Sequence, residues 1–290
     1  MEFMLDSANL EEIKKVKDLG LLGGLTTNPI IIQKGLTELA YKGNFFDYAK
    51  RILELTEDKP CFFQVATQFK EQIINQARSL YESLKSFGNV HIKVPINTSL
   101  AEGDSVYEGF SAIRELNSKN VPILATAIVT PVQAYLASVA GAKYAVLMLR
   151  PYDNIIAENL EIGDLGESGY LTNKRVLDEM TKRNKSLDNY LSGEETLRRA
   201  GKIFKDRNLA TKLLIAGIRN PVQASWVMET GGVSAITMPY KVFRSLFSHE
   251  GTKRFVIFSA VQNLPKFEIE ISKRTFLECR IFLLFCRSGV

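Results

Sequence analysis

Residues 88–96 read GNVHIKVPI, a mostly apolar, strand-like run with a lysine near its centre. In an extended chain the side chains alternate between two faces. Val90, Ile92 and Val94 therefore share one face, and His91 and Lys93 share the other. A buried lysine is costly unless it is paired or neutral. Either the second face is wet, or Lys93 is held there for its chemistry.

Working outward, the same kind of run recurs. EFMLD, GLTT, CFFQVAT, HIKVP, PILATAIV, KYAVLML, KLLIAGI and SAITMP are short and apolar, each followed by a longer helical or linking segment. After the first run, Asn9 stands where a helix cap belongs, with Glu12 at capping-box spacing. Ile13, Val16 and Leu19 then repeat at helical spacing, and Gly20 follows as a stop. A further helix is expected over about residues 70–87, with Ile73, Ala77, Leu80 and Leu84 on one stripe. Strict strand–helix alternation calls for a parallel sheet. Eight such units in roughly 250 residues fit an α/β (β/α)8 TIM barrel better than an open sheet. A doubly wound sheet would place a glycine-rich nucleotide turn after the first strand, and LDSANL is not one.

Two stretches break the rhythm. Residues 154–211 are long and polar, and two helices fit them better than one, with the first part a loop over the barrel mouth. Beyond Gly251 the chain alternates like strands, is rich in aromatics and has no place in the eight units. That segment is expected to cover the barrel bottom or a neighbouring subunit, or else to be a non-native reading frame or an alternative exon. The expected organisation is one catalytic barrel over residues 1–252, including the insert 154–211, and an atypical tail over residues 253–290.

Composition narrows the classes of function. The chain has 290 residues, 46% of them hydrophobic and 24% charged, as in an ordinary globular protein. The net charge of +5 is spread along the sequence rather than clustered, which argues against a nucleic-acid partner. The three cysteines lack metal-ligand spacing and form no disulfide framework. The opening MEFMLDSANLEEIKK is too polar and acidic for a secretory signal. No apolar run has the length of a membrane span. A cytoplasmic location, with no membrane partner and no metal, is expected.

In barrels of this kind catalytic groups stand at the C-terminal ends of strands. Here those ends carry Asp6, Thr27 and Asn28, Gln64, Lys93, Thr126, Met148, Gly217 and Met238. One polar strand end is ordinary; several converging on one mouth make a candidate site. Desolvation lowers the pKa of a lysine and frees a neutral amine, which attacks a carbonyl to form a Schiff base. Such chemistry needs a carboxylate for proton transfer and neutral groups to hold water and hydroxyls. Asp6, Gln64 and Thr126 supply these types.

The segments FMLDSANLEEIKK, GGLTTNPIII, HIKVPI, ATAIVTPVQAYLASVAGAKY and IAGIRNPVQ resemble the small bacterial transaldolase and fructose-6-phosphate aldolase family. The resemblance covers residues 1 to about 252. It implies a (β/α)8 barrel acting on ketose and aldose phosphates in pentose phosphate metabolism, with neither metal nor organic cofactor. By that resemblance Lys93 is the Schiff-base lysine, Asp6 the acid/base, and Thr126 the hydroxyl that holds the catalytic water. Asn28 and Thr27 belong to the substrate-binding TTNP motif, and Arg219 and Arg150 to the phosphate end. Gln64 stands where transaldolases of the family tend to carry Glu and aldolases Gln, which leans toward cleavage over transfer. Family members form rings, so a homo-oligomer is implied. Three positions depart from the family pattern. Met148 replaces an aromatic, Pro151 replaces the phosphate-gripping Arg with Arg150 one residue early, and Gly217 replaces a Ser. A barrel that binds sugar phosphates without turnover, or an assembly protein, is the alternative.

Overall fold

The computed structural model describes residues 1–185 and 192–263. Residues 1–246 form one compact unit, and the described residues from 247 to 263 fall in a second. In the first unit the order is β1 (Glu2–Asp6), α1 (Leu10–Asp18), β2 (Gly24–Thr26), α2 (Pro29–Glu38), α3 (Phe45–Thr56), β3 (Cys61–Gln64) and α4 (Lys70–Leu84). There follow β4 (Val90–Pro95), α5 (Glu108–Ser118), β5 (Ile123–Ile128), α6 (Pro131–Val139), β6 (Tyr144–Met148) and α7 (Leu149–Asn159). The unit ends with α8 (Asn173–Lys182), α9 (Gly193–Asp206), β7 (Lys212–Ala216), α10 (Pro221–Glu229), β8 (Val233–Met238) and α11 (Tyr240–Ser245). The eight strands are parallel to their neighbours and close into a barrel, β8 pairing back onto β1. This is the (β/α)8 architecture.

The alternation read at residues 88–96 is the alternation of the core. Val90, Ile92 and Val94 pack in the layer between strands and helices. The barrel interior is filled by Met4, Phe62, Leu124, Val146, Leu214 and Ala235, contributed by six strands. Helix starts follow from local chemistry. Asn28–Pro29, Thr130–Pro131 and Asn220–Pro221 each place a capping side chain and then a proline at the first helical position. Proline there has no amide to leave unpaired and its φ suits the helix. Helix α1 is capped by Asn9, which accepts from the amides of Glu11 and Glu12. The expected capping box is only half made, because the Glu12 carboxylate accepts instead from Ser7 Oγ at 2.5 Å. Gly20, at φ +70°, ends the helix.

Two expectations need correction. The stretch 154–211 does not begin as a loop: α7 starts at the end of β6 and runs to Asn159, so three helices, not two, enter it. Ile156 and Leu160 bury with Leu171, Val176 and Met180 in a small core of their own, which gives α7 its apolar face. The loop proper is residues 160–172. The strand reading of the tail fails over its first part, where α12 (Glu250–Asn263) is helical. An ion pair from Arg254 to Glu250 at i,i+4 spacing supports that helix. Residues 264–290 lie outside the described residues. Among the described residues no helix is long and apolar enough to cross a membrane.

Candidate active site

Register brings the polar strand ends together. Asp6 pairs with Thr26, Gln64 with Lys93, and Pro95 with Thr126. Partners in a parallel ladder point the same way, so Asp6 and Thr26 share the inner face and Gln64 stands beside Lys93.

Lys93 is 7% exposed, and its Nζ donates to the backbone oxygen of Thr27 at 3.3 Å. Burial holds its pKa below the usual lysine range, with the charge of Asp6 opposing the shift. Asp6 moves the other way. Burial raises its pKa, against a hydrogen bond from Thr26 and the positive fields of Lys93 and Arg219. Both shifts favour neutral forms, an amine that can attack and a carboxyl that can give or take a proton.

Thr26 is a site residue that the sequence reading passed over. Its hydroxyl donates to Asp6 Oδ1 at 2.7 Å and lies 2.7 Å from Thr237 Oγ1. A hydroxyl has one proton. With Thr26 donating to Asp6, Thr237 donates to Thr26, and the chain orients the carboxyl. The signal was the period-two pattern in GLTT, which puts Gly24 and Thr26 on one face and Leu25 on the other. Thr27, named from the TTNP motif, is used differently. Its hydroxyl donates to Phe62 O at 2.7 Å, and only its carbonyl faces Lys93. Asn28 caps α2, its Oδ1 accepting from Ile31 N at 2.9 Å; its amide NH2 takes no part in that bond. Thr27, Asn28 and Gln64 also border a cavity of about 510 Å3. Its other walls include Ile32, Leu36 and Phe45, and neither Lys93 nor Asp6 lines it, so it is an apolar gap between helices rather than the reaction chamber.

Thr126 is buried beside Met148, with Oγ1 4.0 Å from the thioether sulfur. The β5–β6 register shifts between Ala125 and Ile128, and Ala127 sits at φ +57°. A bulge re-aims the neighbouring side chain, and a left-handed alanine is a strained conformation of the kind that collects at functional sites.

At the other side of the mouth the two arginines part. Arg150 is buried and committed to the loop, donating from one terminal nitrogen to Gly169 O and from the other to Gly166 O at 2.7 Å. It holds residues 160–172 in place. Arg219 is half-buried; its Nε has no hydrogen-bond partner, and its field reaches Asp6. Gly217 has φ +84°, and a Cβ there would meet the Arg150 backbone nitrogen at 2.6 Å. The absent serine at this position thus has a packing cause.

The barrel floor carries a second polar group. His91 packs against Phe62 and Tyr144 with ring centroids 5.1 and 5.5 Å away. Its Nδ1 is buried without a partner, and burial pushes its pKa down to about 4. Lys212 pairs with Glu2 beneath it and donates to Tyr144 Oη at 3.3 Å. Among the described residues no cluster of three or more His, Cys, Asp or Glu is placed to hold a metal ion.

A closed parallel barrel thus carries a buried lysine and a buried carboxyl together at its strand ends. Residues 3–278 match the sequence profile described as Transaldolase/Fructose-6-phosphate aldolase. A probable transaldolase of Aquifex aeolicus is 30% identical over 262 residues, covering 88% of this chain and 95% of its own. Probable transaldolases of Thermoplasma volcanium and Maridesulfovibrio salexigens are 28% and 30% identical, each covering 88% of this chain and 94% of its own. The chain belongs to the transaldolase/fructose-6-phosphate aldolase family. The profile match runs past residue 252, into the segment the sequence reading had set apart as a tail.

Proposed function

We propose that the protein is a Schiff-base enzyme that transfers or releases a dihydroxyacetone unit of a ketose phosphate, as part of pentose phosphate metabolism. The single observation carrying this reading is the buried Lys93 on the inner face of β4, its pKa lowered by burial, facing the Asp6 carboxyl. The Lys93 amine attacks the C2 carbonyl of a ketose phosphate, and the neutral Asp6 carboxyl gives its proton to the departing hydroxyl, so that water leaves an iminium on Lys93 and a carboxylate at Asp6. Asp6 then takes the proton of the C4 hydroxyl as the C3–C4 bond breaks, and the bond electrons move into the iminium to give an enamine. An aldose phosphate departs. The enamine either adds to a second aldehyde, which is transfer, or is protonated and hydrolysed, which is release. Thr26 and Thr237 hold the Asp6 carboxyl. Thr126 and Gln64 hold the water, and the free amide of Asn28 takes substrate hydroxyls. Arg219 takes the phosphate; Arg150 gives one hydrogen bond from each terminal nitrogen to the loop carbonyls of Gly169 and Gly166 and has its remaining N–H groups to offer. Gln64 favours release, since an amide holds water without exchanging a proton with it; the names of the relatives favour transfer.

Borohydride reduction in the presence of fructose 6-phosphate, followed by peptide mass spectrometry, tests the reading. A reduced adduct on Lys93, absent in Lys93→Ala, is expected. An adduct on another lysine, or none with any ketose phosphate, would leave a sugar-phosphate-binding barrel without turnover.

A further inference from the structure

Arg150 gives hydrogen bonds to Gly166 O and Gly169 O and is not among the walls of the cleft that Arg219 lines, so a phosphate held there by Arg219 alone would have one cation where a dianion calls for two. A second is close by. A cleft of about 200 Å3 lies over the ends of β7 and β8, and its walls include Arg219, Asn220, Ser168, Glu167, Lys241 and Ser245. Asn220 is fully used, capping α10 through Oδ1 and donating to Ser168 O at 2.9 Å. Ser245 donates to Val242 O. That leaves two cationic side chains on the cleft. The Nε of Arg219 is buried without a partner. Lys241 Nζ lies 2.6 Å from Glu167 Oε1, in a pair whose side chains are 76% and 71% exposed. An ion pair so open to water is worth little, so a doubly charged group can take Lys241 from Glu167 at small cost. Loops after strands seven and eight are where barrels of this architecture commonly take phosphate.

We propose that Lys241 is the second phosphate-binding cation of this site, a specificity residue held by Glu167 until the phosphate of the substrate arrives. Glu167 is then a competitor of the substrate: its carboxylate occupies the cation the phosphate needs. The inference rests on the ketose-phosphate reading above, but it concerns binding and needs no turnover.

The test is calorimetric titration of fructose 6-phosphate, fructose and inorganic phosphate into wild type, Lys241→Gln, Lys241→Arg, Glu167→Gln and Arg219→Gln, beside the borohydride assay. Lys241→Gln is expected to weaken fructose 6-phosphate about two- to fivefold, the range for a cation this open to water. Lys241→Arg should restore most of that loss. Glu167→Gln should tighten the sugar phosphate about two- to fivefold, the scale of an exposed ion pair removed. Fructose affinity should not move in the Lys241 and Glu167 variants. Two variants at one ion pair pulling in opposite directions is a result that general damage would not give. If Lys241→Gln binds as wild type while Arg219→Gln does not, Arg219 works alone and the inference fails, with the Lys93 adduct still standing. Inorganic phosphate binding as tightly as fructose 6-phosphate would make the cleft a free-anion site and overturn it too. A wild type that holds fructose 6-phosphate no better than fructose would do the same, whatever the borohydride assay returns.

Discussion

His91 on the barrel floor should make folding stability pH-dependent in a way one substitution can isolate. The imidazole is 9% exposed, and burial with Lys212 and Lys143 nearby pushes its pKa from 6.5 down to about 4. The folded protein therefore keeps it neutral where the unfolded chain would protonate it. Stability rises with pH wherever the unfolded state binds more protons. The contribution is fully present above pH 6.5 and is lost as pH falls through the window down to about 4. A shift of one pKa unit corresponds to about 1.4 kcal/mol, so the whole window is worth about 3 kcal/mol. Replacing the ring should cost little polar bonding, because Nδ1 has no partner to lose.

The wild-type profile alone is a poor readout. Burial raises Asp153 to about 6, and that carboxyl works in the opposite sense, its contribution being lost as pH rises from 3.8 to about 6. The two slopes offset each other over much of the same window. The informative quantity is the difference between wild type and His91→Leu, measured by equilibrium urea unfolding from about pH 7.5 down to about pH 4.5. Asp153 is present in both proteins and cancels. His91→Leu is expected to gain about 2–3 kcal/mol relative to wild type across that range. A difference that stays flat would mean that His91 is solvated or paired in solution, and the argument from its burial would be refuted.

Asp6→Asn should still allow the amine of Lys93 to be trapped on a ketose phosphate, but should slow turnover by about 10²-fold or more, the range for a positioned acid/base; single-turnover kinetics with an unchanged rate would remove Asp6 from the chemistry. Gln64→Glu should shift product distribution from free dihydroxyacetone toward transfer when erythrose 4-phosphate is supplied, and chromatography showing no change would strip Gln64 of its role. Gly217→Ser should lower the thermal midpoint, because a side chain at φ +84° is strained and its Cβ would lie 2.6 Å from the Arg150 nitrogen. A left-handed non-glycine residue costs roughly 1–2 kcal/mol before that clash is added, so an unchanged midpoint would contradict the packing cause given for this glycine.

What the sequence made legible and what it hid divide along one line. Periodicity reports which face a residue is on. That was enough for the barrel, since eight apolar runs with helical segments between them allow few closed solutions, and for Lys93, whose neighbours Ile92 and Val94 are both 0% exposed in the outer layer. It could not report partners supplied from far along the chain. The helix starting at Leu149 carries Arg150 toward Gly166 and Gly169, and a loop with no periodicity gives no sign of that partnership. Lys241 sits past the last strand, where no pattern marks one lysine above another. Ala127 adopts φ +57° with no glycine to announce it. The TTNP motif shows the boundary most closely. Thr26 and Thr27 are adjacent, both buried and chemically identical, yet register alone gives Thr26 to Asp6 and Thr27 to the Phe62 carbonyl. A slip of one residue between β1 and β2 would exchange their faces and place Leu25 against the Asp6 carboxyl. The site is therefore a consequence of strand register as much as of residue type, and the close-packed interior of Met4, Phe62 and Leu124 beneath it is what holds that register fixed.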